Sequence, residues 1–359
     1  MPENISNVVV FGDSLSDIGI KWTSATGKLA LGLGMMTVSA SGRFSDSRNW
    51  TDFMYEDASG DSLVQSGAGA TIAASQIHQK FTSGSSVTVT GAQPFNYANY
   101  AEGGACGGIP SALDKKGALG TFKDQVKAFT KDYLLVKQPP GSRTLFLVWF
   151  GANDLYTAEC KNTAMADLAE KVAVTRRNEL AALVEPKNAR FIFMNLGRPE
   201  AAVRYQEWEK KFTARRDQGN AVQAWWNNRK VESITALRDG ADLYNAKLLE
   251  CTRSNGDALV DIASVISPEV ITPMLKSLHL TPGAQAPVKS NLIQRVLGRD
   301  EKQHIDPAAY NNPKVSKTLL GSRNIITSDK VHPTDQVYKL IWKTIRETIV
   351  RKDYKFGKL

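Results

Sequence analysis

The chain has 359 residues, 42% hydrophobic and 23% charged, with a formal net charge of +9. That composition builds a large globular core and excludes a disordered chain, and the lack of any 18-residue apolar run excludes an ordinary membrane-spanning helix. The positive excess favours anionic surfaces such as phospholipid, but no aromatic–basic module of the nucleic-acid binders accompanies it, so nucleic acid is not an expected partner.

Taken in chain order, the first element is the strongest local signal. Val8-Val9-Val10-Phe11 reads as a short buried strand running into the turn Gly12-Asp13, which presents Ser14. The carboxyl ends of strands in an open α/β sheet are where ligands meet the protein, so Ser14 stands where a nucleophile is useful. The same letters also fit a capped helix, with Ser14 or Asp17 as the cap. Gly27 to Met36 is a helix or a loop over the site, Ser41 to Asp46 a turn, and Asn49 to Tyr55 a short helix with Trp50, Phe53 and Met54 inward. Gly60-Asp61-Ser62-Leu63 repeats the letters of Gly12 to Leu15 but follows no buried strand, and is read as a decoy.

Val87-Thr88-Val89 is a candidate edge strand. Phe95 to Ala101 is the second main strand, ending in the glycine-rich Glu102 to Gly108, whose backbone can approach a ligand closely. Lys123 to Leu135 is an amphipathic helix with Val126, Phe129, Tyr133 and Leu134 on its apolar face. Thr144 to Phe150 is continuously apolar, as a central parallel strand requires, and delivers Gly151-Ala152-Asn153-Asp154 to the same edge as Ser14. A long helix over Ala164 to Val184 and a strand over Ala189 to Leu196 follow. The region 200–237 is helical and basic, with Lys and Arg interleaved with Trp208, Phe212, Trp225 and Trp226; it suits either a membrane surface or a solvated face with its aromatics turned inward. Asp257 to Ile262 is a fifth strand. Residues 264–325 form a Pro- and Lys-rich connection, a lid or an insertion, with short helices over Ile266 to Leu278 and Leu292 to Leu297. The chain closes with Asp329-Lys330-Val331-His332-Pro333-Thr334 and an apolar helix over Val337 to Ile349.

Serine needs a base, and the base needs an orienting carboxylate. Asp329 and His332 lie three apart before a helix, close enough for the carboxylate to reach its own imidazole and leave the other ring nitrogen for Ser14. A developing oxyanion needs donors, which the Ser14 and Gly104 N–H groups and the Asn153 amide can supply. Each residue also has a structural reading: Asn153 as a strand-end turn, Asp329 as a helix N-terminal charge. The G-x-S-x-G elbow is absent, which argues against an ordinary α/β-hydrolase. Cys106, Cys160 and Cys251 and the four histidines lack metal-ligand spacing, so no metal or cofactor is expected.

These blocks, in this order, resemble the SGNH, or GDSL-type, esterases and lipases. Phe11 to Asp17 is similar to the first family block and places its nucleophile on Ser14. Gly42-Arg43-Phe44-Ser45 resembles the segment that follows, with Asp46 and Ser47 departing from it. Asn99 to Ala105 resembles the second block, its oxyanion glycine falling on Gly104 or, less well aligned, Gly103. Gly151 to Asp154 resembles the third, with Asn153 as oxyanion donor, and Asp329 to Thr334 the last, with Asp329 and His332 as acid and base. The resemblance implies one SGNH hydrolase domain over 1–359: a three-layer α/β/α sandwich around a parallel, flavodoxin-like sheet of about five strands. The basic region 200–237 and the insertion or lid 264–325 are part of it. It leans toward the branch of bacterial lipases, phospholipases and glycerophospholipid–cholesterol acyltransferase-like enzymes.

That branch implies an acyl-lipid or phospholipid substrate, peripheral contact with anionic membrane, a sterol as acyl acceptor and, for delivered members, a host activator. Carbohydrate or small-molecule O-acetyl esterase activity and a catalytically silent binding module are the alternatives. The first strand begins a few residues after Met1 without a basic region or cleavage motif. The expected location is therefore secretion by a signal-independent route or translocation into host cells, with the cytoplasm as alternative. The segment Asn195 to Pro199 departs from the loop usual in related proteins.

Overall fold

The computed structural model of the chain describes residues 2–32, 38–39, 42–45, 48–60, 62–63, 87–89, 93–108, 120–135, 138–157, 162–199, 202–267, 332–333 and 335–359. Strand β1 (Glu3–Asn4) precedes β2 (Asn7–Gly12), every residue of which is buried. Its side chains alternate: Val8 and Val10 enter one core, Val9 and Phe11 the other. A strand apolar on both faces must be covered on both, which fixes a three-layer arrangement.

The remaining strands are β3 (Val87–Val89), β4 (Phe95–Asn99), β5 (Thr144–Trp149), β6 (Ala189–Met194), β7 (Ala258–Val260) and β8 (Tyr354–Lys355). Six of them form one sheet in the order β3-β4-β2-β5-β6-β7. Five run parallel, and β3 pairs antiparallel with β4 as the edge strand. The parallel sheet of about five strands is therefore present, with an antiparallel edge added. The pair β1–β8, a separate parallel ribbon joining the two ends of the chain, has no sequence signal.

The helices are α1 (Ile20–Thr23), α2 (Ala25–Gly32), α3 (Trp50–Ser59), α4 (Phe122–Leu135), α5 (Ala152–Thr157), α6 (Asn162–Glu170), α7 (Arg177–Leu183), α8 (Val203–Gln218), α9 (Ala221–Asn255), α10 (Ile262–Val265) and α11 (Asp335–Arg351). One face of the sheet packs on α3 and α11 through Trp50, Met54, Tyr338, Ile341, Trp342 and Ile345. The other packs on α4, α6, α7 and α9 through residues such as Phe129, Leu168, Leu180, Tyr244 and Leu248. Between α6 and α7 the helix widens to a π-helical stretch over Lys171–Arg176, so the predicted long helix exists with a bulge in it.

Two local expectations shift. Leu134 is 72% exposed rather than on the apolar face, because at about 100° per residue it stands about 140° round α4 from the buried Phe129. The helix begun at Asn49 runs to Ser59, with a capping box from Asn49 and Asp52. Gly60, the first letter of the decoy motif, is the left-handed cap of that helix, its N–H bonded to Glu56 O at 2.8 Å, and Ser62 spends its hydroxyl on Glu56. The helices expected over Ile266 to Leu278 and Leu292 to Leu297, and nearly all of the 264–325 insertion, lie outside the described residues.

Candidate active site

The sheet order reverses at β2: the chain passes from β2 to β4 on one side and then to β5 on the other. At such a switch point the connections leave in opposite directions and open a crevice. Register fixes what borders it. Val10 pairs with Asn99 and Gly12 with Trp149, so Ser14, the Gly103 to Gly108 loop and Asn153 all follow the carboxyl ends of adjacent strands.

Ser14 is 8% exposed, and its Oγ lies 2.8 Å from His332 Nε2. These residues are 318 positions apart in sequence; the apolar face of α11 brings the histidine over the sheet edge. The Phe44 ring stands against the imidazole with centroids 5.1 Å apart, and Phe44 O accepts a 3.3 Å bond from the Tyr338 hydroxyl. The segment carrying Phe44 is held by a buried, two-pronged pair in which Arg43 Nε and Nη2 donate to Asp52 at 3.0 and 2.6 Å. Asp329 lies outside the described residues.

The glycine-rich loop is pinned along its length. Gly103 N–H donates to Asp17 at 2.7 Å, and Gly107 and Gly108 N–H donate to Asp154 at 2.7 and 3.0 Å. Asn153 Nδ2 donates to Ala105 O at 2.9 Å. Gly104 sits at φ 83°, a left-handed conformation that explains a glycine there. Gly151 is at φ 120°, and an added Cβ would come 3.1 Å from both Leu196 and the Tyr244 ring. Glycine therefore lets β5 turn sharply into α5 and set Asn153 at the edge.

Gln125 closes the base of the site. It accepts from Gly12 N–H at 3.1 Å and donates to Gly12 O at 2.7 Å, fixing the turn before the serine. The sequence marks Asp17 only as a candidate cap and gives no role to Gln125, Asp154 or the Arg43–Asp52 pair. The signal available was position: Asp17 and Asp154 each stand beside a candidate site residue in a motif block.

The buried carboxyls shape the electrostatics. Burial pushes the Asp13 pKa up to about 7, although the Leu15 N–H bond and the nearby His332 favour its charged form. Its Oδ1 accepts from Leu15 N–H at 3.0 Å, while its Oδ2 has no hydrogen-bond partner among the described residues. Burial also raises Asp17, to about 6, with four backbone N–H bonds pulling the other way. Among the described residues no group of histidine, cysteine and carboxylate side chains is arranged to hold a metal ion.

A parallel doubly wound sheet with a serine–imidazole pair and a pinned glycine loop at its switch point defines the class: an α/β/α protein with hydrolase-type geometry at the sheet edge. The family is then given by sequence. The model of the GDSL-like Lipase/Acylhydrolase family matches residues 8–345, and the chain belongs to that family. The general esterase and lipase hydrolysis of the family comes with that membership.

No curated protein sequence matches the chain. Among solved structures, an alpha/beta hydrolase enzyme from the metagenome of Lake Arreo, Spain, is similar at 12% identity, with TM-score 0.38 over 96% of this chain and 95% of that one. A phospholipase A1 from Streptomyces albidoflavus shares 13% identity, TM-score 0.34, over 96% and 99%. An extracellular lipase from Streptomyces rimosus shares 12% identity, TM-score 0.34, over 96% and 99%. Similarity at this level says nothing about substrate.

Proposed function

We propose that the protein is a serine esterase acting on acyl lipids, of phospholipase A or lysophospholipase type, through an acyl-enzyme. The observation that carries this reading is the 2.8 Å contact between Ser14 Oγ and His332 Nε2 at the sheet's switch point. In the proposed reaction His332 Nε2 takes the hydroxyl proton as Ser14 Oγ attacks the ester carbonyl. Asp329 orients His332 and stabilises its charged form. The N–H groups of Ser14 and Gly104 and the Asn153 amide receive the oxyanion. The bond from its amide nitrogen to Ala105 O fixes the orientation of the Asn153 side chain at the sheet edge. His332 then protonates the leaving alcohol, and water resolves the acyl-enzyme. A sterol in place of that water would make the same site an acyltransferase.

The lipid assignment rests on the family description, the net charge of +9 and the aromatic, basic helices of 200–237. Peripheral contact with anionic membrane belongs to the same reading, as does an activator supplied by a host cell for a translocated enzyme. The test is turnover of p-nitrophenyl esters of increasing chain length by wild type and Ser14→Ala. The expected result is preference for medium and long chains and loss of about 10³-fold or more in the variant. Acetyl esters alone as substrates would shift the assignment to an O-acetyl esterase. Absence of Ser14-dependent turnover in every condition, host-cell extract included, would favour a catalytically silent binding module.

A further inference from the structure

Helix α9 is 35 residues long, far more than is needed to cross the sheet. Its C-terminal part is docked: Ala241, Tyr244, Leu248 and Cys251 are buried in the core, and Asn255 donates to Ala173 O at 2.9 Å. Asn245 fixes the level of the catalytic edge. Its side chain accepts from Leu196 N–H and donates to Leu196 O, both at 2.8 Å, and Leu196 lies two residues beyond the carboxyl end of β6. From there α9 descends to β7 at the opposite edge. Counting back from Asn245, Ala241 and Leu237 still pack on the core, and residues 221–236 project beyond the edge that carries Ser14, with Trp225 about 30 Å along the helix from the level of Asn245 at about 1.5 Å per residue.

Helix α8 climbs beside this projection to make a hairpin, closed by Gly219 and a capping box from Asn220 and Gln223. Glu209 pairs with Arg238 across it. Its foot rests on the site: the Tyr205 ring stacks on Tyr156 of α5, the helix that holds Asn153, with centroids 4.8 Å apart. At the tip Val222 is 67% and Trp225 54% exposed. The sequence around them and the turn carries Lys210, Lys211, Arg215, Arg216, Arg229 and Lys230 against Asp217, which pairs with Arg216, and is flanked by Glu207, Glu209 and Glu232.

We propose that this hairpin is a membrane anchor, its tip placing Val222 and Trp225 in the headgroup region of an anionic phospholipid bilayer, with basic side chains of α8 such as Arg215 on the lipid phosphates. An exposed indole beside an aliphatic residue suits the bilayer interface, and cations near an anionic leaflet are each attracted to it. A second copy is a poor occupant, because like-charged tips repel and two apolar side chains bury too little area for a stable dimer. The projection sets the stand-off of the sheet edge, about 30 Å if the hairpin stands upright and less as it leans. This inference rests on the acyl-lipid reading but adds the surface that finds the lipid.

The test is flotation of the full chain with phosphatidylcholine vesicles, with and without phosphatidylserine. Wild type is expected to float with the phosphatidylserine vesicles, and Val222→Ser/Trp225→Ser to bind them about tenfold or more weakly. Arg215→Glu/Arg216→Glu should lose the preference for phosphatidylserine. Turnover of a soluble short-chain ester should be unchanged in every variant, which also verifies folding. Equal flotation of wild type and the double serine variant overturns the anchor, and so does a dimer that the serine variant abolishes. Wild type that cleaves long-chain esters in micelles yet ignores vesicles overturns the anchor and leaves the acyl-lipid reading intact. Cleavage of acetyl esters alone overturns that reading, and flotation still decides the anchor.

Discussion

Asp13 and Ser14 are neighbours with opposite needs. The serine must reach solvent-borne substrate, while the aspartate beneath it is 1% exposed with one carboxyl oxygen lacking a hydrogen bond among the described residues. Burial raises the Asp13 pKa from 3.8 to about 7, so the folded state holds this proton more tightly than the unfolded chain. The stability this contributes is fully present below about pH 4 and is lost as pH rises through about 7. Asparagine keeps the acceptor for Leu15 but never ionises. Asp13→Asn is therefore expected to match wild type in stability at low pH and to exceed it increasingly up to about pH 7, by at most about 4 kcal/mol, with Tm rising accordingly. Melting curves across that range check it, and a constant difference at every pH would remove the electrostatic explanation.

Among the elements, the glycine loop depends most on its clamps. Asp154 satisfies two backbone N–H groups of that loop and is fully buried. Asp154→Ala leaves both donors without their carboxylate, at a cost of about 2–4 kcal/mol, and loosens the loop that carries Gly104, the proposed oxyanion donor. The expected kinetic signature is kcat reduced by about 10–100-fold with KM little changed, and partial recovery in Asp154→Asn. The loop segment around Phe44, between α2 and α3, hangs on a different support. Asp52→Asn leaves Arg43, 1% exposed, without its charge partner. It also weakens the capping box of α3. Urea unfolding should show a loss of about 3–5 kcal/mol.

The whole molecule is tied end to end. Strand β1 pairs with β8, Ile5 N–H donates to Lys355 O at 2.8 Å, and Phe356 is fully buried against Phe95 with ring centroids 5.1 Å apart. Phe356→Ala is expected to cost about 3–5 kcal/mol by denaturant titration although it lies far from the site in sequence and fold. The net charge of +9 acts at the same scale. Raising salt through the range where the Debye length falls below about 8 Å should release the protein from anionic vesicles while leaving soluble-ester turnover nearly constant.

Much of this was legible in the residues. The alternation of Val8 to Phe11 and the unbroken apolar run Leu145 to Phe150 specify strands covered on both faces, because side-chain direction in a strand follows a period of two. The motif blocks pointed to Ser14 and His332, which stand 2.8 Å apart, and to Gly104 and Asn153, the proposed oxyanion donors; a helix rather than a strand precedes Gly60 in the second Gly-Asp-Ser-Leu. Asp17 could be read as a local cap, but its bond to Gly103 and the roles of Gln125 and Asp154 could not, since these join backbone groups between 46 and 113 residues away that meet the side chain only after the strands align. The same holds for the β1–β8 ribbon and for the reach of α9. Local letters set which way a segment folds and which face it buries; long-range packing sets which buried carboxylate meets which N–H, because that pairing is chosen by the sheet register and not by spacing along the chain.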